Sequence, residues 1–345
     1  MENLLHYEVA SWIVHETEND CTLIIRANNG RAFYCDIDPS RFVHSPKLTD
    51  KYLKCIEVLR SGDECEEYDL YDDEEACDWL SKLFAPLINQ LAPAPSPVPE
   101  HGRPNLSQYL FPEGFSCDLT ATEEVARPYH EKTRGNGLCG PGVRVGDEFL
   151  RGLDEWTRSY DPSQVDILYN RPKDVLIKPP SKVVVDAGNG DMVTCYFKEF
   201  RSGSDPDQVK REIMTLEKIA RAQIPLAPKA WICRMHGVVR DGNMLMGMLL
   251  SWIDTRGVLS RAEAEISSSA LRQRWREQIT TSLGMLHREG IIWGDAKAEN
   301  ILIDRGDNAW IIDFGGSYTP GWVDKDKAET LEGDKQGLEK ILSFL

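Results

Sequence analysis

Proline occupies every second position from 93 to 99 in the stretch APAPSPVPEHGRP (residues 92–104), and Pro104 closes it. A proline donates no backbone hydrogen bond and disfavours helix in the residue before it, so this stretch forms neither a regular helix nor a central strand. It reads as a stiff, extended linker and a domain boundary. The chain has 345 residues, long enough for two or three domains, and its 41% apolar content supplies cores for them.

Charge narrows the classes of partner. The formal net charge is -16, from 56 acidic against 40 basic residues. That balance opposes non-specific binding to nucleic acid or to an anionic membrane, and leaves room for a local basic pocket that takes a phosphate. No apolar run approaches the roughly 18–20 residues that span a bilayer. The opening MENLLHYEVASWIVHETEND has no basic leader and does not read as a signal peptide. Nine cysteines are scattered without a CxxC pair, which predicts reduced thiols in the cytoplasm or nucleus and argues against zinc.

Residues 1–91 read as an α+β domain. CTLIIRANNGRAFYCDI (21–37) carries a hairpin signal at Asn28-Asn29-Gly30. LTDKYLKCIEVLRSG (48–62) has helical periodicity, with Thr49 or Asp50 as cap and Gly62 past the end. Residues 63–75 form an acidic run, either a solvated loop or a docking site for a basic partner. ACDWLSKLFAPLINQL (76–91) predicts one more amphipathic helix. Residues 105–165 read as an irregular connecting segment. They include a formal GxGxxG at Gly135, Gly137 and Gly140, which follows no strand and reads as a flexible loop rather than a phosphate cradle.

From Asp174 the pattern sharpens. DVLIKPPSKVVVDAGNGDMVTCYFKEF (174–200) predicts strand, break, strand, a turn at Gly188-Asn189-Gly190, and strand. A helix follows, capped by Asp205 with Pro206 first, its apolar face made by Val209, Ile213, Leu216 and Ile219. Two strand runs flank Asp241-Gly242-Asn243, and a long helix ends at Gly290. In IIWGDAKAENILID (291–304) a polar loop precedes a strand, and a second strand, AWIID, ends at Asp313. The hairpin can bring Asp295, Asn300 and Asp313 to one rim. Asn300 and Asp313 offer hard oxygen ligands suited to Mg²⁺, and Asp295 remains as a carboxylate that can take a proton.

These residues carry a resemblance to the protein-kinase superfamily. DAKAEN (295–300) is similar to the catalytic-loop pattern D-x-K-x-x-N, and Asp313-Phe314-Gly315 is a literal DFG. Upstream, CYFKEF places Lys198 on a strand, and Glu212 follows fourteen residues later on a helix, as in that family. The resemblance implies an α+β, bilobal kinase-like fold: a small antiparallel-sheet N-lobe (166–253) and a reduced helical C-lobe (254–345). It further implies that Lys198 contacts the phosphates of ATP, oriented by Glu212. The backbone of Ser251, Trp252 and Ile253 would hold adenine, and Asn300 and Asp313 would hold Mg²⁺. Asp295 would orient and deprotonate the acceptor hydroxyl, and Lys297 would neutralise the transferring phosphate. Asp334 stands either as a brace for the catalytic loop or as a plain cap of the last helix.

The departures from the family also matter. Trp293-Gly294 replaces the usual histidine-arginine, KPPSK (178–182) stands where a glycine-rich loop belongs, and eighteen residues separate Gly315 from Asp334. The resulting expectation is an ATP-dependent phosphotransferase acting on a protein serine or threonine. Two alternatives stay open: a small-molecule kinase of the same superfamily, and a pseudokinase that serves as a binding scaffold. The expected partners are ATP and a protein or small-molecule acceptor, with no nucleic acid and no membrane.

Overall fold

The computed structural model describes residues 5–15, 17–62, 65, 68–92, 103–131, 141–188, 190–316 and 318–345. The chain divides into two units. The first is Met1–Gly140 with Ser163–Pro180, and the second is Pro141–Pro162 with Ser181–Leu345.

The first unit contains β1 (Tyr7–Val14), β2 (Cys21–Ala27), β3 (Arg31–Ile37), β4 (Phe42–Val43), α1 (Pro46–Ser61), α2 (Asp73–Lys82), α3 (Ala85–Leu91), α4 (Leu106–Leu110), β5 (Glu113–Thr122) and β6 (Val125–His130). The strands form one sheet in the order β1-β2-β3-β5-β4, with β6 on β5. Strand β2 alternates buried and partly exposed residues, so Cys21, Leu23 and Ile25 face a core shared with Tyr52 and Ile56 of α1 and Leu80 of α2. Gly30 has φ +81° and makes the expected hairpin turn.

Several expectations for this unit are corrected. Helix α1 begins at Pro46, with Ser45 in the cap position, because a proline's fixed φ suits the first helical residue; neither Thr49 nor Asp50 is the cap. Residues 76–91 are two helices, broken at Leu83-Phe84, since Pro86 has no amide to continue the ladder. Asp72, within the acidic run, caps α2 by accepting from the Glu75 amide at 2.9 Å. Residues 105–165 are not an irregular connector: β5 sits inside the sheet, parallel to β3 and β4 and antiparallel to β6. The stretch 92–104 is not a boundary either, because the residues on both sides of it belong to one unit. Residues 93–102 themselves and the GxGxxG at 135–140 lie outside the described residues.

The second unit opens with β7 (Val143–Arg144), α5 (Asp147–Asp154) and β8 (Arg158–Tyr160). The chain then passes through the first unit, where the short β9 (Asp166–Ile167) lies, and resumes with β10 (Lys182–Asp186), β11 (Met192–Glu199) and α6 (Pro206–Arg221). The second unit therefore takes in 141–162 and leaves out 163–180. The strand expected at 174–177 is absent, because Pro172–Asp174 forms a 3₁₀ turn. Strands β12 (Met235–Asp241) and β13 (Met244–Ser251) follow, then β14 (Thr255–Val258), α7 (Arg261–Ile266), α8 (Ser269–Arg288), β15 (Ile301–Asp304), β16 (Ala309–Ile311) and α9 (Leu331–Leu342).

Within this unit, one sheet runs β8-β12-β13-β11-β10 with β7 on β13, and a second runs β14-β15-β16. Val209, Ile213, Leu216 and Ile219 of α6 are buried in the same core as Trp275, Ile279, Leu283 and Leu286 of α8. Helix α8 ends with Gly290 at φ +67°, the left-handed position that glycine fills without strain. The result is an α+β, kinase-like arrangement: a sheet that is antiparallel except for the parallel β8–β12 pair, with α5 and α6 buried in its core, followed by a helical part that carries a small sheet. Among the described residues no helix is long and apolar enough to cross a membrane.

Candidate active site

Strand β11 sorts its side chains by alternation. Cys195 and Phe197 are buried on one face, which leaves Tyr196 and Lys198 on the other. A β-carbon on Gly247 would collide with the Phe197 ring and the Lys198 carbonyl, so glycine lets β13 lie close at this point. On α6, Glu212 sits beside the apolar face and is buried. Lys198 Nζ donates to Glu212 Oε1 at 2.7 Å and to Asp313 Oδ1 at 2.8 Å. Burial opposes the charge on Lys198, but the carboxylates of Glu212 and Asp313 outweigh it and hold its pKa above the ordinary value. Burial pushes the Glu212 carboxyl up, and Lys198 pulls it back only in part.

The loop of 291–300 is anchored by its own backbone. Trp293 is fully buried, and its indole N–H donates to the Ile312 carbonyl at 2.9 Å. The Asp334 carboxylate accepts from the Trp293 amide at 2.7 Å and the Gly294 amide at 2.9 Å. It also pairs with His287 Nε2 at 2.8 Å. The cap of α9 is Thr330, whose hydroxyl accepts from the Gly333 amide at 3.0 Å. Asp334 therefore braces the loop and does not cap the helix. Gly294 has φ +87°, and a β-carbon there would lie 3.1 Å from the Gly316 Cα. An arginine at this position would be strained twice over, by dihedral and by contact.

Asp295 is held on both carboxylate oxygens. Its Oδ2 accepts from Asn300 Nδ2 at 2.9 Å and pairs with Lys297 Nζ at 2.7 Å. Its Oδ1 accepts from the Thr319 hydroxyl at 3.0 Å, and that hydroxyl accepts from Lys297 Nζ at 3.0 Å. Thr319 is the site residue that the sequence reading missed. It lies in a loop with no periodicity or spacing to mark it.

Asn300 spends its amide nitrogen on Asp295, which leaves its Oδ1 as an acceptor. Asp313 likewise keeps one oxygen beyond the one that Lys198 engages. Two hard oxygens of this kind suit a divalent cation that draws its other ligands from water and phosphate. Among the described residues no group of three or more His, Cys, Asp or Glu could hold a metal by itself.

A cleft of about 350 Å³ lies beside Lys198 and Asp313, lined also by Tyr196, Ser251, Trp252, Ile253 and Leu302. The Ser251 amide is committed to the Arg234 carbonyl at 2.8 Å. Trp252 and Ile253 follow past the end of β13. All nine residues singled out from the sequence thus fall either in the polar cluster or along this cleft.

Fold and site together define a domain of the kinase phosphotransferase class. A protein kinase domain is matched over residues 187–332, within the second unit. The chain is 24% identical over 223 residues to the E3 ubiquitin-protein ligase KEG of Arabidopsis thaliana, covering 58% of this chain and 12% of that protein. It is 28% identical over 128 residues to CBL-interacting protein kinase 1 of Oryza sativa subsp. japonica, covering 35% and 24%. It is 26% identical over 113 residues to the serine/threonine-protein kinase cot-1 of Neurospora crassa, covering 31% and 19%. The chain therefore spans less than a quarter of the length of each of these relatives. Residues 187–332 are thereby identified as a protein kinase domain.

Proposed function

We propose that this chain transfers the γ-phosphoryl group of ATP to a hydroxyl, with a protein serine or threonine as acceptor. The observation that carries the reading is the Lys198 ammonium, shared between Glu212 and Asp313 in the same cleft as the Asp295 loop. Phosphoryl transfer is mostly positioning and electrostatics, and this set of polar groups on rigid strands provides both. Lys198 holds the α- and β-phosphates at an angle fixed by Glu212. Asp295 orients the acceptor hydroxyl and takes its proton. Lys297, already against Asp295, faces the charge that develops on the transferring group. Thr319 keeps the Asp295 carboxylate from rotating. Mg²⁺, when bound at Asn300 and Asp313, neutralises phosphate charge. The free thiols of the described cysteines suit the reducing cytoplasm or nucleus.

A small-molecule acceptor is the second reading. It is favoured by the eighteen residues between Gly315 and Asp334, which leave little room for a peptide platform. The test is transfer from labelled ATP to the protein itself, to generic basic proteins and to a small-molecule panel. Labelling of protein supports the first reading, and labelling of a small molecule alone supports the second. ATP binding with no transfer to any acceptor would turn the assignment to a pseudokinase.

A further inference from the structure

Strand β1 forms one edge of the first unit's sheet: it pairs with β2, and among the described residues no strand covers its other side. Tyr7, Val9 and Trp12 stand opposite Ala27, Ile25 and Leu23, the core-facing residues of β2, so all three share the helix side of the sheet. The bulge between Val9 and Ser11 makes this possible, because it puts residues three apart on one face. His6 turns its amide and carbonyl toward Asn28, just past β2. By alternation the amides and carbonyls of Tyr7 and Val9 point to the open edge. The strand has eight residues and neither proline nor lysine, the usual blocks on such an edge. Trp12 is 37% exposed. A cavity of about 640 Å³ is bounded by Tyr7, Val9 and Trp12 on one side and by Asp73, Glu74 and Asp78 of α2 on the other. Asp78 pairs with Lys82 at 2.6 Å, and Glu8 is engaged by His6 and Lys178, whereas no described basic side chain pairs with Asp73 or Glu74. These two belong to the acidic run 63–75, in which nine of thirteen residues are acidic and none is basic.

We propose that this groove docks an extended, basic segment of a partner protein, which adds to the sheet as a strand beside β1. The segment's backbone pairs with the free groups of Tyr7 and Val9, and every second side chain then rises into the cavity. A lysine or arginine at those positions lays its stem on Val9 and the Trp12 indole and sets its charge against Asp73 and Glu74. Charge selects this occupant. A second copy of the chain would bring the same acids to the same place, and the chain as a whole carries a net charge of -16. The inference is independent of the catalytic reading, since every residue in it lies in the first unit.

The test is fluorescence anisotropy on the full chain with a labelled peptide of about nine residues that alternates arginine and valine, a length matched to β1. The wild type should bind this probe and should not bind its counterpart with glutamate in place of arginine. N-methylation of the central backbone amides of the probe removes pairing donors in either strand direction and should weaken binding about 5- to 100-fold. Asp73→Asn combined with Glu74→Gln should weaken the unmodified probe about 2- to 25-fold while thermal denaturation shows the fold intact. Trp12→Ala should weaken it as well. Equal binding of the N-methylated probe would overturn strand addition, and full affinity in the Asp73→Asn/Glu74→Gln protein would overturn the acidic wall. Absence of binding by the wild type would overturn the whole proposal. So would a dimer, seen by sedimentation, that excess probe leaves intact, because a second copy would then cover the edge.

Discussion

Gly337 of α9 lies directly against Ala296 of the 291–300 loop: a β-carbon at 337 would overlap the Ala296 carbonyl oxygen and come within 2.6 Å of the Ala296 β-carbon. Ala296 separates Asp295 from Lys297, so this contact sets the height of the loop on its helix. Gly337→Ala should destabilise the protein by about 1–3 kcal/mol, even though alanine favours helix by roughly 1 kcal/mol. Gly284 of α8 has open space around its α-carbon, so Gly284→Ala should stabilise by about 0.5–1 kcal/mol. Urea unfolding of the two variants reads the contrast. Equal effects would show that the Ala296 contact carries no load.

Asp334 is the second anchor. Asp334→Ala strands the amides of Trp293 and Gly294 in the interior, at about 1–3 kcal/mol each before relaxation. Asp334→Asn keeps one acceptor oxygen and should lose less. Thermal denaturation should rank wild type above Asp334→Asn and Asp334→Asn above Asp334→Ala.

At Asp295 the expected effect is on rate. Asp295→Asn preserves shape and should lower phosphoryl transfer by roughly 10²–10⁴-fold; because the buried carboxylate accepts from Asn300 and Thr319 and pairs with Lys297, it should also cost about 1–3 kcal/mol of stability. Thr319→Val removes the hydroxyl between Lys297 and Asp295, one hydrogen bond of orientation, and should lower the rate about tenfold. Single-turnover kinetics at saturating ATP separates both effects from binding. An Asp295→Asn rate equal to wild type would remove the proton-accepting role.

Lys198→Met should carry a pH signature. In the wild type, the raised Lys198 pKa gives stability that is complete below its ordinary value of 10.5 and is lost as pH rises through the folded value. Glu212 titrates higher in the fold than its ordinary 4.5, so its contribution weakens stability as pH rises through that interval. Removing Lys198 leaves Glu212 buried without its counter-charge, which raises its pKa further. The variant should be less stable than wild type by about 1–3 kcal/mol at neutral pH, after allowing for the partial exposure of Lys198. The deficit should shrink as pH falls and Glu212 takes up a proton. A deficit that grows toward acid would contradict the assignment.

How far the sequence revealed this structure depends on the kind of signal. The hairpin at 28–30 and the ends of α6 and α8 were legible because glycine, asparagine and an Asp-Pro pair mark them chemically. The polar cluster was legible because Lys198, Glu212, Asp295, Asn300 and Asp313 keep a characteristic spacing. The β5–β6 hairpin was not, because it turns through Glu123 and Glu124 with φ of +52° and +66°, where a hairpin turn ordinarily uses glycine or asparagine. The return of 163–180 to the first unit was equally hidden, since it is written in tertiary contacts and not in any local preference. Thr319 and the Ala296–Gly337 contact belong to the same class.

The brace at Asp334 also orders the assembly of the loop in time. Synthesis delivers the Trp293 and Gly294 amides some forty residues before the carboxylate that holds them. Lys198, Glu212 and Asp313 are all made before the residue that pins the loop at 293–294. A message cut short upstream of codon 334 therefore encodes the cleft beside Lys198 with a 291–300 loop that lacks its anchor.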